Sequence, residues 1–125
     1  MSDSRYFEMD DRGDVLVLRV LVAGLDRSVA NEFGADLLSI LDRCSGGRIV
    51  INLSEVHQIS PPVLAKLMAF DKRLSAGGGS MLICGAAPGV QQIISLAWPR
   101  RWTDEPTTEA AAIAALDGSS PIENG

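Results

Sequence analysis

The sequence has one histidine and only two cysteines, Cys44 and Cys84, which lie forty positions apart. Structural zinc and thiol redox sites draw their ligands from close pairs, so neither chemistry has the residues it needs. The two thiols are read as small packed side chains, with no metal and no cofactor expected. Positive charge is also short: 11 Lys and Arg stand against 16 Asp and Glu, for a formal net charge of −5. Proteins that hold nucleic acid displace condensed counterions with clustered cations, so no nucleic-acid partner is expected. Long apolar runs are missing as well. The longest, Val15 to Leu25, is interrupted by Arg19 and is about half of the ~20 residues that span a bilayer. Met1-Ser2-Asp3-Ser4-Arg5 leads into acidic residues with no apolar stretch behind a basic one, which is not a leader pattern. No membrane insertion and a cytoplasmic location are therefore expected.

What is present suits a globular chain: 46% of residues are apolar and 22% charged. At 125 residues there is room for one core and not two. The expected organisation is a single domain over residues 1–117 and a loose tail over 118–125.

Residues 6–10 and 15–22 read as two strands around Asp11-Arg12-Gly13-Asp14, whose Asp and Gly supply hairpin turn conformations. The second strand is apolar on both faces except at Arg19. That pattern predicts a central strand covered on each side, or one whose Arg19 face meets a partner. The acidic start, Glu8, Asp10, Asp11 and Asp14, reads as a solvated hairpin. After Gly24-Leu25-Asp26, apolar residues recur at Val29, Phe33, Leu37, Ile40, Leu41 and Cys44, the spacing of a helix with one buried stripe. Asp26 or Ser28 can cap it. Ser45-Gly46-Gly47 stops it, and Arg48 to Leu53 alternates as a strand. Ser60-Pro61-Pro62 is a helix start, because Ser can accept from a first-turn amide and Pro loses nothing where amides are unpaired. Val63, Leu64, Leu67, Met68 and Leu74 form its stripe, and Lys72 and Arg73 complement its C-terminal dipole before Gly77. A strand over Ser80–Cys84, a helix from Pro88 ending before Pro99, and a last helix over Glu109–Leu116 capped by Thr107 or Thr108 complete the chain. Strands alternating with helices define an α/β fold with a mostly parallel sheet.

Several motifs invite functional readings that their context opposes. Gly77-Gly78-Gly79-Ser80 runs from helix into strand, whereas a phosphate cradle runs from strand into helix, so it is read as a helix stop. Gly85-Ala86-Ala87-Pro88-Gly89 has the right direction but no lysine, and Pro88 removes an amide. His57 lies three residues before Ser60, but no nucleophile elbow surrounds the serine, and no catalytic residue is assigned. Pro99-Arg100-Arg101-Trp102, with Trp98, offers too few cations for nucleic acid and is read as core closure beside a helix end.

The order of elements, with Leu25-Asp26 after the second strand, Ile49 to Val56 with its Asn52-Leu53-Ser54, the helix from Val63 to Ala76, and Gly77-Gly78-Gly79 before Met81-Leu82-Ile83, resembles the STAS family over roughly residues 6–117. That family is named for sulphate transporters and anti-sigma factor antagonists. The resemblance implies a four- to five-stranded, mixed but mostly parallel sheet with about four helices, and a non-enzymatic protein-binding role. Its informative motif, Asp-Ser-Ser-Gly-Leu at the start of the second helix, aligns onto Ser60-Pro61-Pro62-Val63-Leu64, where only the leucine survives. In signalling members the second serine is phosphorylated by a partner kinase; here that position is Pro62, which has no hydroxyl. Ser60 is the remaining hydroxyl, better explained as a cap bonding a backbone amide. The resemblance places the partner-binding edge at Asp26, Ser54, Glu55, His57, Gln58, Ser60, Pro61, Pro62 and Val63. The expected partner is an anti-sigma factor, a kinase-like protein or other STAS domains. The alternatives are a structural subunit of a signalling scaffold or membrane transport complex, and a binder of a nucleotide or small ligand.

Overall fold

The first strand, β1 (Phe7–Asp11), folds back onto β2 (Val15–Val20) as an antiparallel hairpin. Gly13 sits at φ +81°, a conformation open to glycine, and its amide donates to Asp11 Oδ1 at 2.9 Å. The hairpin opens a computed structural model that describes residues 6–43, 47–98 and 108–116. β2 is two residues shorter than the sequence pattern, because after Leu21 donates to the Tyr6 carbonyl at 2.8 Å the chain leaves the sheet. It forms the short β3 (Gly24–Leu25) and one 3-10 turn at Arg27–Val29. There follow α1 (Ala30–Arg43), β4 (Arg48–Asn52), β5 (Gln58–Ile59), α2 (Pro61–Ala76), β6 (Ser80–Cys84), α3 (Pro88–Ala97) and α4 (Glu109–Leu116). Cys44, Thr107, Arg100, Arg101, Trp102 and the tail from 118 lie outside the described residues.

One sheet runs in the order β1-β2-β4-β6, with β2, β4 and β6 parallel and β1 the antiparallel edge. The two short strands β3 and β5 make a separate parallel pair. This is the four-stranded, mostly parallel sheet with four helices that the sequence implies.

Alternation along each strand divides the side chains between two layers. Phe7, Leu18, Val20, Ile49, Ile51, Met81 and Ile83 meet the buried stripes of α1, α2 and α3, among them Phe33, Leu37, Leu67, Phe70 and Ile94. Phe70, absent from the predicted stripe of α2, is buried in place of Met68, which is only partly covered. Trp98 packs against this layer, as expected of a residue that closes the core. On the other side Val15, Val17, Val50 and Cys84 are buried beneath Ala112, Ile113 and Leu116 of α4. β2 is therefore covered on both faces.

Arg19 explains how so short a helix stays down. Its guanidinium donates to Glu109 through Nε at 2.9 Å and Nη2 at 2.8 Å, and to Asp10 at 2.9 Å, with Glu8 at 3.4 Å. Arg19 thus faces the first turn of α4 and not a partner, and Glu8 and Asp10 belong to this cluster, not to a solvated hairpin alone. The Thr108 hydroxyl caps α4 by accepting from the Ala111 amide at 3.1 Å.

Hydrogen bonds from Arg19 hold the Glu109 carboxyl below its ordinary value, and those from Arg12 and then Arg19 do the same for Asp10. The folded state then binds fewer protons than the unfolded chain, so this stabilisation is complete above the ordinary carboxylate values and decays as pH falls through the lowered ones. Because the Arg19 and Glu109 side chains keep 28% and 20% of their exposure, water screens part of the attraction. We expect Arg19→Leu to lower the unfolding free energy at neutral pH by about 1–2 kcal/mol. We also expect it to flatten the loss of thermal midpoint between about pH 5 and pH 3. Equal acid sensitivity in both proteins, measured by calorimetry, would show that the cluster does not hold α4.

Candidate functional site

The C-terminal ends of β2 and β4 are the place where an open parallel sheet presents its loops. Two loops meet there. The Ala23 carbonyl accepts the amides of both His57 (2.7 Å) and Gln58 (3.2 Å), and the Leu25 carbonyl accepts that of Ser60 (2.8 Å). These bonds, with the Gly24–Gln58 and Leu25–Ile59 register, stitch residues 23–26 to residues 57–60. Leu25, Val56 and Ile59 point inward and are buried, so neighbouring residues on both loops are turned outward. Asp26, Ser54, Glu55, His57, Gln58 and Pro61 are exposed along this edge, with Pro62 half-buried behind them.

Local chemistry fixes each loop. Asp26 accepts from the Ser28 amide at 2.9 Å and from the Ser28 hydroxyl, and these bonds, the hydroxyl first, hold its carboxyl below the ordinary range. Asp26 is thus the cap of the turn before α1 as well as a charge on the edge. Asn52 Oδ1 accepts the Ser54 amide at 2.8 Å, turning the chain as it leaves β4. Its other arm, Nδ2, donates to Glu109 at 2.8 Å. An aspartate here would set a second carboxylate against Glu109. Gly85, at φ +74°, supports the same corner from β6: a Cβ there would stand 3.0 Å from Asn52 Oδ1 and 3.2 Å from Ser54 Cβ.

The mouth of α2 differs from expectation. Ser60 holds the N-cap position, but its side chain makes no capping bond, and its Oγ is buried without a hydrogen-bond partner. Of the first three helical residues only Val63 retains an amide, since Pro61 and Pro62 have none; the helix's first internal bond is Leu64 to the Ser60 carbonyl at 3.0 Å. A hydroxyl that usually caps at the second or third amide has lost half of its choices. The mouth is correspondingly poor in donors for an anion. Val63, expected on the edge, is 0% exposed and belongs to the core beneath it.

Other motifs resolve as structure. The amides of Gly77, Gly78 and Gly79 all donate to carbonyls of Arg73, Leu74 or Ser75, so they close α2 and have none to spare for a phosphate. His57 lies exposed on the edge. Among the described residues no group of three or more His, Cys, Asp or Glu could hold a metal ion, and no helix is long and apolar enough to cross a membrane. The sequence reading missed Ala23, whose contribution is a carbonyl and leaves no side-chain signal. It also missed Leu21, 52% exposed where β2 gives way to the edge, because the residue sits inside an apolar run.

A four-stranded α/β sheet with a stitched loop edge at the mouth of its second helix defines the class. The chain belongs to the STAS domain family, whose model matches residues 6–98. Its fold is similar to that of a proposed anti-sigma factor antagonist from Thermotoga maritima, with a TM-score of 0.77 and 20% identity over 91% of this chain and 97% of that one. It is also similar to the anti-sigma factor antagonist SpoIIAA in its unphosphorylated form (TM-score 0.73, 18% identity, 90% and 96% covered). The phosphorylated form of SpoIIAA from Bacillus gives 0.65, with 17% identity and 88% and 98% covered.

Two substitutions test this geometry. Replacing a working N-cap serine costs about 0.5–2 kcal/mol, whereas removing a buried, unpartnered hydroxyl relieves a desolvation cost. Ser60→Ala is therefore expected to leave the thermal midpoint unchanged or raise it, and a clear fall would mean that the hydroxyl does cap α2. Asn52→Asp is expected to destabilise by about 1–2 kcal/mol at neutral pH, through a lost hydrogen bond and like-charge repulsion. The loss should shrink in the double variant with Glu109→Gln, read by chemical denaturation.

Proposed function

We propose that this chain is a non-enzymatic docking subunit of the cytoplasm. It offers the edge formed by Asp26, Ser54, Glu55, His57, Gln58, Ser60, Pro61 and Pro62 to a protein partner of the anti-sigma factor or kinase-like class. The docking is not switched by phosphorylation at the family position. The observation that carries this reading is Pro62 in the first turn of α2, at the residue where signalling members of the family keep an acceptor serine. The burial of Ser60 Oγ supports it, because a kinase must reach the hydroxyl it modifies. The two prolines present a rigid, partly apolar rim, and a rim already fixed loses little freedom on docking.

The same loss of a switch favours a second reading, a permanent structural subunit of a scaffold of STAS domains or of a transport complex, since a scaffold has no need of a reversible serine. A nucleotide at the β6–α3 loop is less well supported: Pro88 occupies the first turn of α3 and no lysine follows.

The test is incubation of the purified chain with the anti-sigma kinase of its host and ATP, followed by intact mass measurement and titration calorimetry. The expected result is binding with no added phosphate, and the same affinity with or without ATP turnover. Pro62→Ser should take up phosphate where the parent does not. Gln58→Glu combined with His57→Glu should weaken binding at least about tenfold through the edge alone. Stoichiometric phosphate within residues 60–64 of the parent would overturn the unswitched reading, and affinity unmoved by the edge substitutions would overturn the docking surface.

A further inference from the structure

Two kinds of bond hold the loops of the edge. His57, Gln58 and Ser60 give their amides to the carbonyls of Ala23 and Leu25, while Leu53 and Val56 give theirs to the carbonyls of Cys84 and Leu53. The Ser54 amide depends instead on a side chain, Asn52 Oδ1. Asn52 lies beside Arg19 in the register of β4 with β2, and Glu109 stands over both. One carboxylate oxygen, Oε1, accepts Asn52 Nδ2 at 2.8 Å and Arg19 Nε at 2.9 Å. A carboxamide carries its acceptor and its donors on opposite arms of one plane. Turned over, Asn52 would set its NH2 against the Ser54 amide and its oxygen against the Glu109 carboxylate, losing both bonds and opposing like with like. The corner also has little room for other rotations, since a Cβ on Gly85 would stand 3.0 Å from Asn52 Oδ1. The carboxylate therefore selects the one amide orientation that offers Ser54 an acceptor.

We propose that Glu109 is a positioning residue for the docking edge: acting through the Asn52 amide, it fixes the turn that carries Ser54 and Glu55, so that the seating of α4 behind the sheet and the affinity of the edge are linked. The link to affinity rests on the docking reading given above; the control of the turn does not. Arg19 keeps the carboxylate in place, since it donates from Nε and Nη2 and is itself tied to Asp10. Linkage is reciprocal: a partner that needs the ordered turn presses α4 onto the sheet, and release of α4 weakens that partner by the same factor. His57 and Gln58, tied to the Ala23 carbonyl, lie outside this path and serve as its internal control.

Amide exchange with water, read residue by residue by NMR on the full chain, tests the turn without any partner. Glu109→Ala is expected to speed exchange at Ser54 by about two- to tenfold, the loss of one hydrogen bond, with His57 and Gln58 unmoved. Asn52→Asp combined with Glu109→Gln reverses donor and acceptor between the two side chains and still leaves Ser54 an oxygen, so it should restore the parent rate. Circular dichroism confirms that each variant folds. Titration of the same proteins with the anti-sigma kinase of the host tests the link: Glu109→Ala should bind about two- to tenfold more weakly, and the double variant should regain the loss. Exchange at Ser54 that does not move in Glu109→Ala, or that rises together with His57 and Gln58, would overturn the proposal, as would a double variant no better than the single. A freed Ser54 with unchanged affinity would overturn the link to docking. A parent that binds no kinase would overturn the docking reading alone, and the exchange rates would still decide the role of Glu109.

Discussion

A strand buried on both faces cannot leave its sheet without finding partners for its backbone, and here the partners are found in the next loop of the same kind. The Ala23 carbonyl, taken by two amides, and the Leu25 carbonyl, taken by a third, bind the exit from β2 to the entry of α2. That stitch determines which residues of each loop turn inward and which face water, and it orients the first turn of α2. Apart from Asp26, whose carboxylate accepts from Ser28, the charges and prolines on the edge are arranged by bonds that involve none of their side chains.

The back of the sheet depends on a different interaction. Arg19 links β1, β2 and α4 through Asp10 and Glu109, and Asn52 adds β4 through its amide. A neutral Asn at position 52 is therefore a local requirement of this chain. It allows one side chain both to turn the loop at Ser54 and to donate to Glu109.

Most of the architecture was legible because it rests on periodicity and punctuation. The two- and four-residue rhythms located every large strand and helix, and Gly13, Gly77 and the Ser60-Pro61-Pro62 start marked the boundaries. Pairwise choices were not legible. Nothing in the pattern told that Arg19 would meet Glu109, ninety positions away, and not solvent or a partner. Ser60 looked like a working cap because serine usually is one, but prolines on its C-terminal side changed which amides it could reach. Val63 was placed on the edge by alignment to a motif, although its helical position turns it into the core. The short pair β3 and β5 escaped because two residues are too few to show a period.

The two layers on the sheet are unequal. Among the described residues three helices cover one side, while the other rests on eight residues of α4 and a knot of five polar side chains, Glu8, Asp10, Arg19, Asn52 and Glu109. Were α4 to lift, Val15, Val17, Val50 and Cys84 would lie side by side in water across three adjacent strands. The molecule's vulnerability to clumping therefore resides behind the sheet, under its smallest lid.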